Sequence, residues 1–236
     1  MSDILTMVWK ESKDVFFQGG WRSLIRPLFV IGIIGIYLPL QFGPQWVDLM
    51  PIGMILLLWI PFFVIISFIG DVIAGERERH TLETLLASRM PDRAILLGKV
   101  VSTVLYAWGM SVLSLLVGLV LVDLVRTQGN WMFYPLGLFV DALVLSLLVG
   151  VLGASAGVLV SLRVSTVRQA QQILSIGTIV FVFGSVFALQ VVPANVVSSL
   201  TYSQILLVAM VVIAVLDAIL LGLSVVSFQR SRLILS

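Results

Sequence analysis

The chain has 236 residues, 60% of them hydrophobic and only 11% charged, with a mean hydropathy of +1.15. Soluble domains carry about 25% charged residues, so an ordinary globular domain is excluded and the composition is that of a polytopic membrane protein. The pI near 9.2 reflects basic residues placed by membrane topology rather than nucleic-acid binding, and the absence of cysteine excludes disulfides and thiolate chemistry.

The chain opens Met-Ser-Asp-Ile-Leu-Thr-Met-Val-Trp-Lys-Glu-Ser-Lys-Asp. Acids interrupt this stretch, and it lacks the continuous apolar core of a cleavable signal peptide. At about 100° per residue, Ile4, Leu5, Val8, Trp9, Val15 and Phe16 fall on one side and Asp3, Lys10, Lys13 and Asp14 on the other. Gly19-Gly20 ends the pattern. Residues 1–20 are therefore expected to form an amphipathic helix in the cytoplasmic interface. A helix packed on the protein's own loops is the alternative.

A membrane-crossing helix needs about 20 mostly apolar residues, and six segments within residues 21–236 qualify. The first runs from about Leu24 to Leu40, interrupted early by Arg26 and Pro27. The second covers about Pro51 to Ile73, the third Val100 to Val122 and the fourth Pro135 to Leu162. No charge appears from Gln169 to Leu216, and Pro193-Ala194-Asn195 with Ser198, Ser199, Thr201 and Ser203 divides that run. It gives a fifth span from about Ile173 to Val192 and a sixth from about Gln204 to Phe228. The expected fold is all-α, with six transmembrane helices behind the N-terminal amphipathic helix.

Orientation follows from Lys and Arg. With both termini cytoplasmic, Lys10, Lys13, Arg22, Arg26, Arg77, Arg79, Arg89, Arg93, Lys99, Arg163, Arg168, Arg230 and Arg232 lie inside, and Arg126 alone lies outside. The short outer loops carry Trp46, Trp131 and Tyr134 as interface aromatics.

Asp71 and residues 74–99 together hold ten of the 26 charged residues. This cytoplasmic insert joins the second and third spans. Thr81 is placed to cap a short helix over 82–87. Leu82, Leu85 and Leu86 share a face of it, and Pro91-Asp92 breaks the chain before the third span. Three leucines on a surface helix are ill placed in water and well placed in a partner's groove.

The run Gly75-Glu76-Arg77-Glu78-Arg79-His80-Thr81-Leu82-Glu83-Thr84-Leu85-Leu86, then Pro91, then Ile95-Leu96-Leu97-Gly98-Lys99, resembles the signature of the type-2 permease family of ATP-binding-cassette (ABC) transporters. His80 stands where that family commonly has Gly. The resemblance covers the insert by motif and the whole chain by architecture. It implies an exporter membrane subunit in a prokaryotic cytoplasmic membrane, built from two permease chains, identical or similar. It also implies a separate soluble ATPase subunit that holds ATP and magnesium. Glu76, Arg77, Glu78, Arg79, Thr81, Leu82, Glu83, Leu85 and Leu86 are then the ATPase-coupling residues. The second and fifth spans would line the substrate path, making Phe62, Phe63, Phe181 and Phe187 candidate pathway residues beside Trp59, Phe68 and Phe183. No P-loop is present: Gly98-Lys99 is followed by Val100 and has Arg93, not Gly, five positions earlier.

Other signals are weaker. Asp71, Asp141 and Asp217 lie within or at the edge of spans, where a charge at mid-bilayer costs at least about 2.5 kcal/mol. Polar contact between helices, an ion or proton path, and substrate contact are the three readings for them. An ATP-independent secondary transporter or channel using Asp141 and Asp217 is the rival function. Gly153-Ala154-Ser155-Ala156-Gly157 matches the nucleophile-elbow pattern but sits inside an apolar span. Close helix packing by small residues is the better reading there. His80, the single histidine, has no second His or Cys with which to hold a metal, and no catalytic set is expected in this chain.

Overall fold

The structure, a computed structural model, describes residues 2–17, 28–43, 45–48, 60–65, 75, 78, 91–126, 132–191 and 202–227. Every regular element among them is helical: α1 (Ser2–Phe17), α2 (Leu28–Phe42), α3 (Gln45–Asp48), α4 (Asp92–Arg126), α5 (Leu136–Arg163), α6 (Val167–Val191) and α7 (Tyr202–Ser227), with a further helical piece over 60–65. Among the described residues, three stretches are long and apolar enough to cross a membrane: Ala94–Val125, Leu136–Arg163 and Ser203–Ser227. They coincide with the third, fourth and sixth spans expected from the sequence, and α6 covers most of the fifth. The chain is an integral membrane protein.

A bilayer supplies little hydrophobic force between helices, because lipid tails are as apolar as leucine; close packing and hydrogen bonds hold a bundle together. The helices here follow that logic. α5 is the central element: α4, α6 and α7 all pack on it, and more than half of it is buried. Leu145, Ala154 and Val158 face inward from it, in one core cluster with Ile60, Val64 and Ile65 of the 60–65 piece and Ile95, Val100 and Val104 of α4. α7 touches α5 along one stripe and presents most of its surface outward.

Local chemistry sets the helix ends. Pro135, with ψ of 128°, cannot continue a helix backwards, and its carbonyl accepts the Phe139 N–H at 3.0 Å to open α5. Val164 is extended (φ −107°, ψ 155°) and closes it. Thr166 then caps α6, its hydroxyl oxygen accepting the Gln169 N–H at 3.3 Å. α4 opens directly after Pro91, whose carbonyl accepts the Ala94 N–H at 2.9 Å. It runs on as one helix, so the third span extends beyond the Val100–Val122 read from hydropathy.

α2 is π-helical over Ile31–Tyr37 before returning to α-helix at Leu38–Phe42. Pro39 has no N–H to give the carbonyl of Gly35, and the widened winding lies just ahead of that missing bond. Gly35 itself sits against α4. A Cβ there would lie 3.2 Å from the Ser114 Cα and 3.3 Å from the Ser114 carbonyl oxygen. Backbone gives way less easily than a flexible side chain, so any larger residue there would have to push α2 and α4 apart by a few tenths of an ångström.

α1 lies along α4. Met7 is buried at 1% exposure, while Leu5 and Trp9 stay exposed, and Lys13 Nζ rests 4.4 Å from the centroid of the Trp9 ring. The alternative reading, packing on the protein's own loops, is corrected in its partner: α1 packs on a helix, α4. One face seats on α4 of the protein itself, and a second presents Leu5 and Trp9 outward.

Candidate functional site: the coupling stretch and the inner faces of the bundle

Of the coupling residues expected from the sequence, Glu78 is described. Glu76, Arg77, Arg79, Thr81, Leu82, Glu83, Leu85 and Leu86 lie outside the described residues, as does Asp71. Glu78 is exposed, and its Oε2 accepts the backbone N–H of Val167 at 3.3 Å. Val167 is the first residue of α6, so a carboxylate from the charged insert meets the positive end of that helix. An acid at that end is favoured both by the unsatisfied N–H groups and by the helix dipole.

The far end of the insert is fastened as well. Lys99, 4% exposed, pairs with Glu11 of α1, Nζ to Oε1 at 3.0 Å. Both the Ser102 hydroxyl and the Thr103 hydroxyl donate to the Lys99 carbonyl at 2.9 Å, tightening the same turn of α4. Neither the Glu78 nor the Lys99 contact was foreseen from sequence. Glu78 and Val167 are 89 positions apart, and no periodicity marks a partner at that distance.

Deeper in the bundle, the Phe62 and Phe181 rings lie 4.3 Å apart, centroid to centroid, at 37°. This pair joins the 60–65 piece to α6. Phe62 and Ile65 press on α5 at Gly153, where a Cβ would come within 3.2 Å of Ile65 Cδ1 and 3.5 Å of the Phe62 ring. Two residues on, the Ser224 hydroxyl, which donates to the Leu220 carbonyl of its own helix at 2.8 Å, also lies 3.3 Å from the Ser155 carbonyl, bringing α7 close to α5. The Gly-Ala-Ser-Ala-Gly run is therefore a packing surface and Ser155 a buried contact, not an exposed nucleophile. Phe63 and Phe187 are exposed and are not part of the Phe62–Phe181 pair.

The intramembrane acids differ from one another. Asp141 is half-buried in the first turns of α5. Asp217 is 5% exposed on the face of α7 turned to α5, and neither carboxylate oxygen has a hydrogen-bond partner among the described residues. Asp123, not singled out from sequence, is buried near the end of α4 and accepts the Met132 N–H at 3.0 Å, shaping the link to α5. No group of His, Cys, Asp and Glu that could hold a metal occurs among the described residues.

At the α3 end an aromatic knot ties three elements. The Trp46 indole N–H donates to the Tyr134 hydroxyl at 3.0 Å, which donates in turn to the Leu115 carbonyl at 3.4 Å. Phe42 stacks near Trp46 and Phe139 near Tyr134, with centroids 6.3 and 6.2 Å apart. Burial pushes the Tyr134 phenol up to about 12. Nearby Asp123 pushes the same way, and the Trp46 bond opposes both. Trp46 and Tyr134, read from sequence as interface aromatics, bond to each other.

The described residues thus form an apolar helical bundle in which Glu78 meets the start of α6 and an aromatic pair joins the 60–65 piece to α6. The model of the ABC-2 family transporter proteins matches residues 38–214, well over half of the chain, and the chain belongs to that family. The match covers the whole charged insert over 74–99 and the segments expected from the sequence as the second to fifth spans. Among curated proteins no relative matches the chain.

Proposed function

We propose that this chain is the permease subunit of an ABC exporter, with six spans and both termini cytoplasmic. The short helix over 82–87 seats in a groove of a separate ATPase subunit. That partner binds and hydrolyses ATP with magnesium, and this chain contributes no nucleotide site. Two permease chains, identical or similar, enclose the substrate path between them. The switch between inward- and outward-open states is a rigid-body change of the two halves. Residues 1–20 act as an interfacial elbow helix, braced by the Lys99–Glu11 pair.

The observation that carries this reading is the family match over residues 38–214, which contains the Glu-Arg-Glu to Gly-Lys insert. The ion-coupled rival would leave Leu82, Leu85 and Leu86 on a cytoplasmic helix without purpose. Because the chain has no cysteine, single cysteines test the topology directly. A thiol at position 84 should react with an impermeant reagent only from the cytoplasmic side, and one at position 129 only from the outer side. Leu85→Asp should remove ATPase activity from the purified tagged chain. Retention of that activity, or labelling of position 84 from outside, would contradict the reading.

A further inference from the structure

We propose that the bond from the Val167 N–H to the Glu78 carboxylate is the link through which motion of the coupling insert reaches the fifth span. This rests on the permease reading above. It adds a positioning role for Glu78 toward a helix other than the one that carries it.

The geometry is specific. α6 has two N-terminal partners that satisfy different donors. Thr166, next in sequence, accepts from the Gln169 N–H at 3.3 Å. Glu78, 89 positions away, accepts from the Val167 N–H at 3.3 Å. The first is a local cap, sufficient to start the helix. The second adds a charge at the positive end of the helix dipole and ties that end to the coupling stretch. α6 also carries Phe181, which meets Phe62 at 4.3 Å. A displacement of Glu78 therefore acts on a rigid helix that reaches the aromatic pair about four turns away. The Lys99–Glu11 pair fastens the other end of the insert to α1 and not to α6. Glu78 is thus the contact among the described residues through which the insert acts on the fifth span.

Val167→Pro isolates the bond. Proline is well tolerated at the first position of a helix, because it removes only an N–H that the helix itself does not use. Glu78 and the rest of the insert stay unchanged. Two cysteines, at exposed Val101 of α4 and exposed Ile176 of α6, carry spin labels in the otherwise cysteine-free chain. The permease–ATPase complex is measured in nanodiscs without nucleotide and after vanadate trapping with magnesium ATP. The parent complex should show a nucleotide-dependent change in the label distance. Val167→Pro should keep the ATPase bound and hydrolysing, and reduce the population that shows the change at least threefold. Glu78→Gln reads the same bond from the acceptor side: it keeps an oxygen but no charge, and should fall between the two. An unaltered distance change in both variants would overturn the link while leaving the permease reading intact. Loss of the bound ATPase in Val167→Pro would overturn it too, by making the bond a docking element. A parent chain with no ATPase to purify would overturn the permease reading, and this inference with it.

Discussion

Lys99 and Glu11 meet at 3.0 Å with only 4% of the Lys99 side chain exposed. They bind the helix that precedes the bundle to the end of the insert that is expected to engage a partner. Removing Glu11 takes an ion-pair partner from a buried lysine; such a loss costs about 3 kcal/mol when it is complete and less where other partners remain. Glu11→Ala should therefore lower the melting temperature in detergent by several degrees. Adding Lys99→Met to it should restore a good part of the loss. Equal stability of Glu11→Ala and the parent chain would show that the pair is solvated in the assembled protein.

Asp217 has the opposite character. Its carboxylate is buried on α7 against α5 without a partner among the described residues. An unmet buried polar group costs about 1–3 kcal/mol, so Asp217→Leu should raise the melting temperature of the purified chain. A lower melting temperature would mean that the assembled protein supplies a partner for the carboxylate, and would return Asp217 to the candidates for substrate or ion contact.

Tyr134 predicts a pH effect of definite sign. The free phenol ionises at 10.0 and the folded one at about 12, so folding favours the neutral form. The stability this contributes is complete below pH 10 and is lost as pH rises from 10 through 12. It amounts to roughly 2–3 kcal/mol. The stability difference between the parent chain and Tyr134→Phe should therefore shift against the parent across that window. A difference that does not change with pH would show that the knot around Trp46 and Leu115 opens before the phenol ionises.

Ser224 and Ser155 test how much hydrogen bonding adds inside the bundle. The Ser224 proton is shared with the nearer Leu220 carbonyl at 2.8 Å, so the 3.3 Å contact to Ser155 should be worth no more than about 0.6 kcal/mol, the average for such contacts in membranes. Ser224→Ala should be nearly silent in a thermal melt, whereas Gly153→Val should be costly because it drives into Ile65 and Phe62. The reverse order would mean that polar contacts, not close packing, hold α5 in place.

These residues also mark what could be read from the chain alone. Outside the extended starts of α4 and α6, the apolar runs located α4, α5, α6 and α7 to within a few residues, because transfer into a bilayer depends on composition and length. Pro135 and the Gly153–Gly157 run announced a helix start and a packing surface through their own chemistry. Pairings between helices were not legible. A spanning helix is apolar on its lipid face and its inner face alike, so hydropathy carries no register. Glu11 with Lys99, Glu78 with Val167, and Asp123 with Met132 depend on how the helices are placed. The π-helical winding before Pro39 depends on bonds along α2 that no propensity scale encodes. On α1 the apolar side read from sequence contains Leu5 and Trp9, which are exposed, while the residue buried on α4 is Met7. Amphipathicity alone does not distinguish a face that meets lipid headgroups from one that meets the protein.

The central claim is that this chain works with a soluble ATPase. The most direct measurement is mild-detergent purification of the tagged chain from its native membrane, followed by mass spectrometry of its companions. A soluble ATPase present in proportion to the permease, and absent from the Leu85→Asp preparation, is the result predicted. A clean permease without any ATPase, from membranes whose other complexes survive the same extraction, would contradict it.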